Sequence, residues 1–235
     1  MPRTAIIAAM HEELAALLPA IEGATTGHVG GREFWLGTLA GQPVVAVLSG
    51  IGKVAAAITA TLLVDHYQVD RMLFIGVAGG LGAGVKVGDV VVASALLQHD
   101  MDASPLFPRH EVPLTGLSRF PVDAGFSAAV ARGAAAALAG RPGAVHRGLI
   151  VSGDRFVATA AESAALRAAL PDALAVEMEG AAVAQVCHAF GTPLAVVRSI
   201  SDRADDTAHV DFGAFLREVA GPLGRAIVQR ALAAG

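Results

Sequence analysis

The sequence predicts an α/β fold: a single domain, 1–235, built on a buried, largely parallel or mixed β-sheet flanked by α-helices. Short β-branched runs alternate with Ala/Leu-rich stretches of helical period along all 235 residues. No Ser/Pro-rich linker, charge block or change of composition divides the chain. Nor does any stretch of roughly 20–50 residues recur as a tandem repeat. A chain of this length can bury a sizeable core.

The elements follow from local pattern. Strands are predicted at 4–9, 34–39, 43–49, 71–77, 88–98, 147–152, 173–177 and 193–199, with helices after most of them. After "IGK", Val54, Ile58 and Leu62 are spaced as one face of a helix that runs to about Tyr67. Residues 180–190 read as a closely packed helix, because Gly180, Ala181, Ala182 and Ala184 are small, and "GTP" at 191–193 stops it. The last helix is predicted over 212–233, where Phe215, Val219, Leu223 and Ile227 share a face and Pro222 bends the axis. Residues 103–122, with four prolines and no clear period, read as a loop or flap.

Composition narrows the function. The net charge is −4 and the basic residues are scattered, so no basic stripe invites nucleic acid. The apolar run near the N-terminus is cut off by His11, Glu12 and Glu13 before it reaches signal-peptide length. No apolar segment is long enough to span a bilayer, so no membrane partner is expected. The single Cys187 excludes an internal disulfide and points to a reducing cytoplasm.

A chain that is 54% hydrophobic places two carboxylates in "VEMEGAA", 176–182, where the pattern says interior. A buried carboxylate is costly without partners. Glu179 is predicted at the mouth of a strand-to-helix turn, where open α/β sheets bind ligands and a helix N-terminus favours an anion. If the strand persists, Glu177 points the same way and Met178 the opposite way. The plainer alternative is local helix capping, an even bet for one such residue alone. Glu12 and Glu13 also follow a strand, however, and the strand at 194–199 leads into Ser201 and Asp202. Capping explains each acid; convergence on one site explains them all.

Other motifs are weaker. "SGIGK" and "IGVAGG" fit neither the dinucleotide fingerprint nor a P-loop; they are read as tight packing or as close backbone approach to a flat ligand. Lys53 is read as a solvated side chain at a helix start. "HDMD", 99–102, looks like metal-ligand material but lacks a second cluster, so metal is the weaker reading. Phe156 in "GDRF" is either a core phenylalanine or a ring that stacks on a base. With no G-x-S-x-G elbow and Cys187 in an apolar helix, covalent catalysis is disfavoured.

Taken in order, "AAMHEE", "SGIGKVAAA", "GVAGGL", "VKVGDVVV", "GLIVSGDRF", "AVEMEGAAVAQVC" and "VVRSISDRAD" resemble the bacterial 5′-methylthioadenosine/S-adenosylhomocysteine nucleosidases of the purine nucleoside phosphorylase superfamily. The resemblance spans about residues 4–232. It implies a central mixed, barrel-like sheet and a homodimer whose partner completes each site. The reaction it implies is hydrolysis of an adenine thionucleoside to adenine and a 5-thioribose, without metal or cofactor. By position, Glu13 matches the base that activates water, and Asp202, oriented by Ser201, the acid at purine N7. Arg198 matches an arginine near the water. Glu179 corresponds to the residue that holds the ribose hydroxyls, with Met178 against the sugar. Phe156 matches the stacking aromatic and the Val157 backbone the adenine contact. Met10, Ile51, Val77, Ala78, Gly79 and Phe212 are expected to line the site, and Phe107 or Leu106 to be donated across the dimer. Two departures stand out: many relatives carry a serine where Val77 stands, and the flap "DASPLFPRHEVPLTG" differs from the best-known pattern.

These residue types suit the chemistry. Cleaving a ribosyl C–N bond leaves positive charge on the sugar and negative charge on the purine, which calls for an acid on one side and a nucleophile on the other. Asp202 must carry a proton, or share one with N7, while Glu13 must be ionised. Three rivals compete. Phosphorolysis needs cationic anchors that "FIGVAGG" lacks. The same machinery also suits a related adenine nucleoside such as aminodeoxyfutalosine. A non-catalytic nucleoside sensor is disfavoured because the acid, base and diol-binding positions are all filled.

Overall fold

The fold described here is a computed structural model that covers residues 2–204 and 212–233, the side chain of Phe212 excepted. Eleven strands form one continuous sheet in two parts. The first part runs β2 (Glu22–Val29), β3 (Arg32–Leu39), β4 (Gln42–Leu48), β1 (Thr4–Ala8), β5 (Arg71–Phe74) and β11 (Leu194–Asp202). The second closes on itself: β11, β6 (Val77–Gly80), β10 (Ala173–Glu177), β9 (Val145–Ser152) and β7 (Val90–Gln98), with β7 pairing back to β11. The short β8 (Arg119–Pro121) pairs with the outside of β7. The nine-residue β11 belongs to both parts, pairing β5 through Leu194–Val196 and β6 through Ser199–Asp202.

The central strands are apolar on both faces because both faces are covered. Along β1, Ala5 and Ile7 enter one core cluster, while Ile6 and Ala8 enter the other. The same alternation runs through Val44–Val47 and Met72–Ile75, as a two-residue side-chain period requires. The first cluster is capped by α2 (Lys53–Asp65) and α5 (Gly180–Phe190), the second by α3 (Ala124–Leu138) and α7 (Gly221–Ala233). A third cluster, including Leu149, Val151, Leu170 and Val176, lies at the barrel with α4 (Ala160–Ala169) nearby. Helix α5 ends as expected: Gly191 has φ 67°, and the N–H of Thr192 donates to Cys187 O at 2.9 Å.

Two expectations are corrected. The strand expected at 71–77 breaks between Phe74 and Val77, where the chain passes from the open sheet into the barrel as β5 and β6. The C-terminal segment is not one α-helix bent by Pro222. A π-helical turn, Leu216–Ala220, separates a short α6 (Phe212–Phe215) from α7, and Gly221 N–H bonds back to Leu216 O. Pro222 sits in the first turn of α7, where its missing N–H costs little. The strand expected at 173–177 is found at those bounds, and Glu179 takes the N-cap position of α5. Strands β2 and β8 and helices α3 and α4 complete the frame.

Candidate active site

The acids that follow three separate strands meet in one cavity of about 360 Å³, lined by Glu13, Glu177, Glu179 and Asp202. That volume lies within the range of small-molecule sites. Strand register explains the meeting. In the barrel Gly79 of β6 pairs with Val176 of β10 on one side and with Asp202 of β11 on the other. Glu13 reaches the start of the same strand, where its Oε1 accepts a hydrogen bond from Val77 N at 3.1 Å.

Glu13 lies on the five-residue helix α1 (His11–Ala15), and its Oε2 reaches back to accept from Ala9 N and Met10 N, each at 2.9 Å. Burial pushes its carboxyl above the usual range; the Arg198 charge and the three N–H donors pull the other way. Glu12 is not part of the cavity wall. Asp202 is aimed by an irregularity: the register of β11 against β6 shifts between Ile200 and Asp202. Such a bulge lets two successive residues face one side, and Ser201 and Asp202 both line the cavity. Ser201 Oγ donates to Asp202 Oδ2 at 2.6 Å, and Ala204 N to Oδ1 at 2.7 Å.

The two acids of "VEME" divide their work. Glu177 is held by protein alone: Arg198 Nη2 lies 2.6 Å from its Oε2, Gly180 N donates at 2.9–3.0 Å, and Ser152 Oγ donates to its Oε1. Its carboxylate thus accepts from the first N–H of α5. Glu179 has one partner, Gly52 N, at 2.8 Å from Oε1; no described residue donates to its Oε2. Burial, and next the Glu177 charge, push its carboxyl up to about 7. Such a group in a cleft is a candidate for ligand binding.

Arg198 is fully enclosed, its guanidinium 4.1 Å from the centre of the Phe74 ring. Its Nε and Nη1 have no partner among the described residues. A Cβ placed on Gly76 would come within 2.8 Å of Glu13 Oε1 and 3.0 Å of Arg198 Nη1, so only a glycine leaves that space open. Met10, Ile51, Val77, Ala78, Gly79, Phe156, Val157 and Met178 line the cavity as expected. Phe156 is 49% exposed at its mouth. Phe107 and Leu106 do not line this chain's own cavity, and the Phe212 side chain falls outside the described residues.

Sequence reasoning missed several contributors. Ala9, Arg155 and Val176 line the cavity. Gly52 offers its N–H to Glu179, a role that neither tight packing nor close approach to a flat ligand had named. Lys53 is not simply solvated: its Nζ lies 2.7 Å from Asp100 Oδ1. Asp100, in "HDMD", is thereby an ion-pair partner. Among the described residues no three metal-ligating side chains converge.

Comparison with known proteins gives the same answer as the geometry. Residues 3–233 match the model of the phosphorylase superfamily. A 5′-methylthioadenosine/S-adenosylhomocysteine nucleosidase of Shewanella baltica is 40% identical over 211 residues, which is 90% of this chain and 88% of that protein. A solved nucleosidase of the same name from Neisseria meningitidis, in complex with methylthio-immucillin-A, superposes with a TM-score of 0.93 at 37% identity, covering 100% of both chains. The futalosine hydrolase of Helicobacter pylori superposes with a TM-score of 0.88 at 33% identity, covering 97% of each chain. The chain belongs to the phosphorylase superfamily, among its 5′-methylthioadenosine/S-adenosylhomocysteine nucleosidases.

Proposed function

We propose that the protein hydrolyses the N-glycosidic bond of 5′-methylthioadenosine, S-adenosylhomocysteine or both, releasing adenine and the 5-thioribose. The observation that carries this reading is a single cavity whose wall holds a hydrogen-bonded Asp202, a buried Glu13 and a Glu179 with one oxygen to which no described residue donates. Asp202 delivers a proton to purine N7 as the C–N electron pair withdraws into the adenine. A water attacks the anomeric carbon and Glu13 takes its proton. The water is supported by the Glu13 Oε1 and Arg198 Nη1 atoms that flank Gly76. Glu179 Oε2 accepts from the ribose hydroxyls, and a carboxylate there also favours the cationic sugar. Met178 packs on the sugar, while Phe156 stacks on the base with the Val157 backbone beside it. Met10, Ile51, Val77, Ala78 and Gly79 supply the rest of the wall.

Residues 1–235 then form one nucleosidase domain, supported by the continuous sheet and the family match over 3–233. We infer a homodimer in which Leu106 or Phe107 closes the partner's cavity, supported by the 84% exposure of Leu106. No helix among the described residues is long and apolar enough to cross a membrane. The one cysteine, Cys187, is free and buried, which supports a reducing cytoplasm; a role in methionine salvage rests on the proposed substrate alone.

The test is adenine release from methylthioadenosine in phosphate-free buffer. Turnover without phosphate is expected, because Arg198 is already paired with Glu177 and the buried carboxylates Glu13 and Glu179 beside it disfavour a second anion; strict phosphate dependence would replace hydrolysis by phosphorolysis. The likeness to the Helicobacter pylori futalosine hydrolase keeps a second substrate in view. Aminodeoxyfutalosine therefore belongs in the same panel, and the highest kcat/KM names the substrate.

A further inference from the structure

Outside the cavity wall, three chain segments are joined by a closed ring of charged groups. Lys53 opens α2, Asp100 follows β7 and Asp154 follows β9. Lys53 Nζ donates to Asp100 Oδ1 at 2.7 Å. Asp100 Oδ2 accepts from Asp154 N at 2.9 Å. Asp154 Oδ1 accepts from Lys53 N at 2.7 Å, which closes the ring. The links span 47, 54 and 101 residues of sequence, so none is a product of local chain geometry.

Two of the segments carry cavity residues. Lys53 follows Gly52, whose N–H is the one donor from a described residue on Glu179. Asp154 precedes Arg155 and Phe156, both in the cavity wall. The two turns touch: a Cβ on Gly52 would lie 3.1 Å from Asp154 Oδ1. The side chains of Lys53 and Asp100 are only 16% and 32% exposed, so water screens this pair less than an ordinary surface ion pair. Both carboxylates also accept backbone N–H bonds, which fix direction as well as distance. A solvated ion pair would need neither backbone donor.

We propose that Lys53, Asp100 and Asp154 are positioning residues for the nucleosidase site, clamping the Gly52 turn against the Phe156 loop so that Gly52 N–H stays on Glu179. The ring touches no reacting atom. It acts through the orientation of Glu179 and Phe156, and it rests on the reading of the cavity as a nucleoside site. Breaking it lets the two turns part, and Glu179 loses the donor that stabilises its ionised form. Glu179 still faces Glu177 and Glu13, which disfavour its charge, and Arg198, which favours it.

The test is Asp100→Asn, which removes the charge at constant shape. KM for methylthioadenosine is expected to rise about tenfold, the size of one charge-assisted hydrogen bond, with kcat within about threefold of wild type. The acid limb of kcat/KM, which reports the free enzyme, is expected to move to higher pH. Lys53→Arg keeps the charge and is expected to preserve KM within about threefold. Asp172→Asn, which breaks the exposed Arg119–Asp172 pair elsewhere, is the control and leaves KM and the pH profile unchanged.

A second readout needs no substrate. In Asp100→Asn, hydrogen exchange at the amides of Gly52, Lys53 and Asp154 is expected to accelerate relative to the rest of the protein. If the wild type released no adenine, the reading of the function would fall, while the exchange result would still judge the clamp. A folded Asp100→Asn with wild-type KM, acid limb and amide exchange overturns the proposal. So does a parallel fall of kcat/KM and Tm with the acid limb unmoved, since that is the mark of a merely structural pair.

Discussion

Glu179, which we propose as the ribose ligand, carries a charge that costs the empty protein stability. Burial and the neighbouring Glu177 raise its carboxyl to about 7 from an ordinary 4.5. Below pH 4.5 the group holds a proton in both folded and unfolded chains. Between 4.5 and 7 the folded chain keeps a proton that the unfolded chain has lost, so stability from this group falls as pH rises through that window. Above it the full cost remains, up to about 3 kcal/mol. Glu179→Gln removes the charge and retains an oxygen for Gly52 N–H. Thermal melts of the substrate-free protein are expected to show the variant several degrees more stable than wild type at pH 8, a gap that closes by pH 4.5. Its KM is expected to rise by about ten- to a hundredfold, since a neutral amide is a poorer partner for a diol. A lower Tm at pH 8 would mean that Glu179 is a structural acid like Glu177. Asp202→Asn and Glu13→Gln make the complementary case: each is expected to lower kcat by at least about 10²-fold while circular dichroism stays native. Near-full activity in Asp202→Asn would remove it as the acid.

At the scale of elements, the site depends on β6, a strand whose four residues include two glycines, Gly79 and Gly80. Gly79 stands between Val176 and Asp202, and a Cβ there would lie 2.7 Å from Ala204 Cβ and 3.0 Å from Asp202 Oδ1. Gly79→Ala must therefore displace the Asp202 turn. A loss of about 1–3 kcal/mol in stability and a fall in kcat of more than about tenfold are expected from urea melts and steady-state rates. A variant with unchanged kcat would show that the turn yields without moving the acid. The sequence made this machinery legible only in part. The carboxylates after β1, β10 and β11 stood out because a charge beside an apolar run is rare and needs a partner. The bulge at Ser201 did not, since it changes no residue pattern, and neither did the break at Gly76, which looks like one strand in composition. Strand β2, Glu22–Val29, was hidden because it is mostly exposed at the sheet edge and has no apolar face to betray it. The Lys53 ring was hidden for another reason: links spanning 47, 54 and 101 residues exist only after the fold forms.

For the molecule as a whole, the shared strand β11 joins an open six-strand layer to a closed five-strand ring, and the cavity lies along that junction. The site therefore requires the whole fold, which fits the resemblance running from end to end. Phe156 lies half exposed at the mouth beside the exposed Ile51 of the same wall, and Val54 and Leu106 are exposed as well, at 71% and 84%. Exposed apolar side chains in such numbers near a ligand site mark a contact surface. The segment 103–118 carries Leu106 and Leu114, 84% and 92% exposed, and neither lines this chain's own cavity; in the homodimer we propose, a second copy receives them. Sedimentation is expected to give twice the mass of one chain. Replacing both Leu106 and Leu114 by Asp is expected to yield a folded monomer with kcat/KM lowered by at least about tenfold, mostly through KM, since each cover residue contributes about 1–2 kcal/mol to binding. Catalytic carboxylates lie wholly within one protomer on this view, so kcat should fall far less than in Asp202→Asn. A monomeric variant with wild-type kcat/KM would show that each cavity is complete without its partner, and would assign the exposed leucines to some other contact.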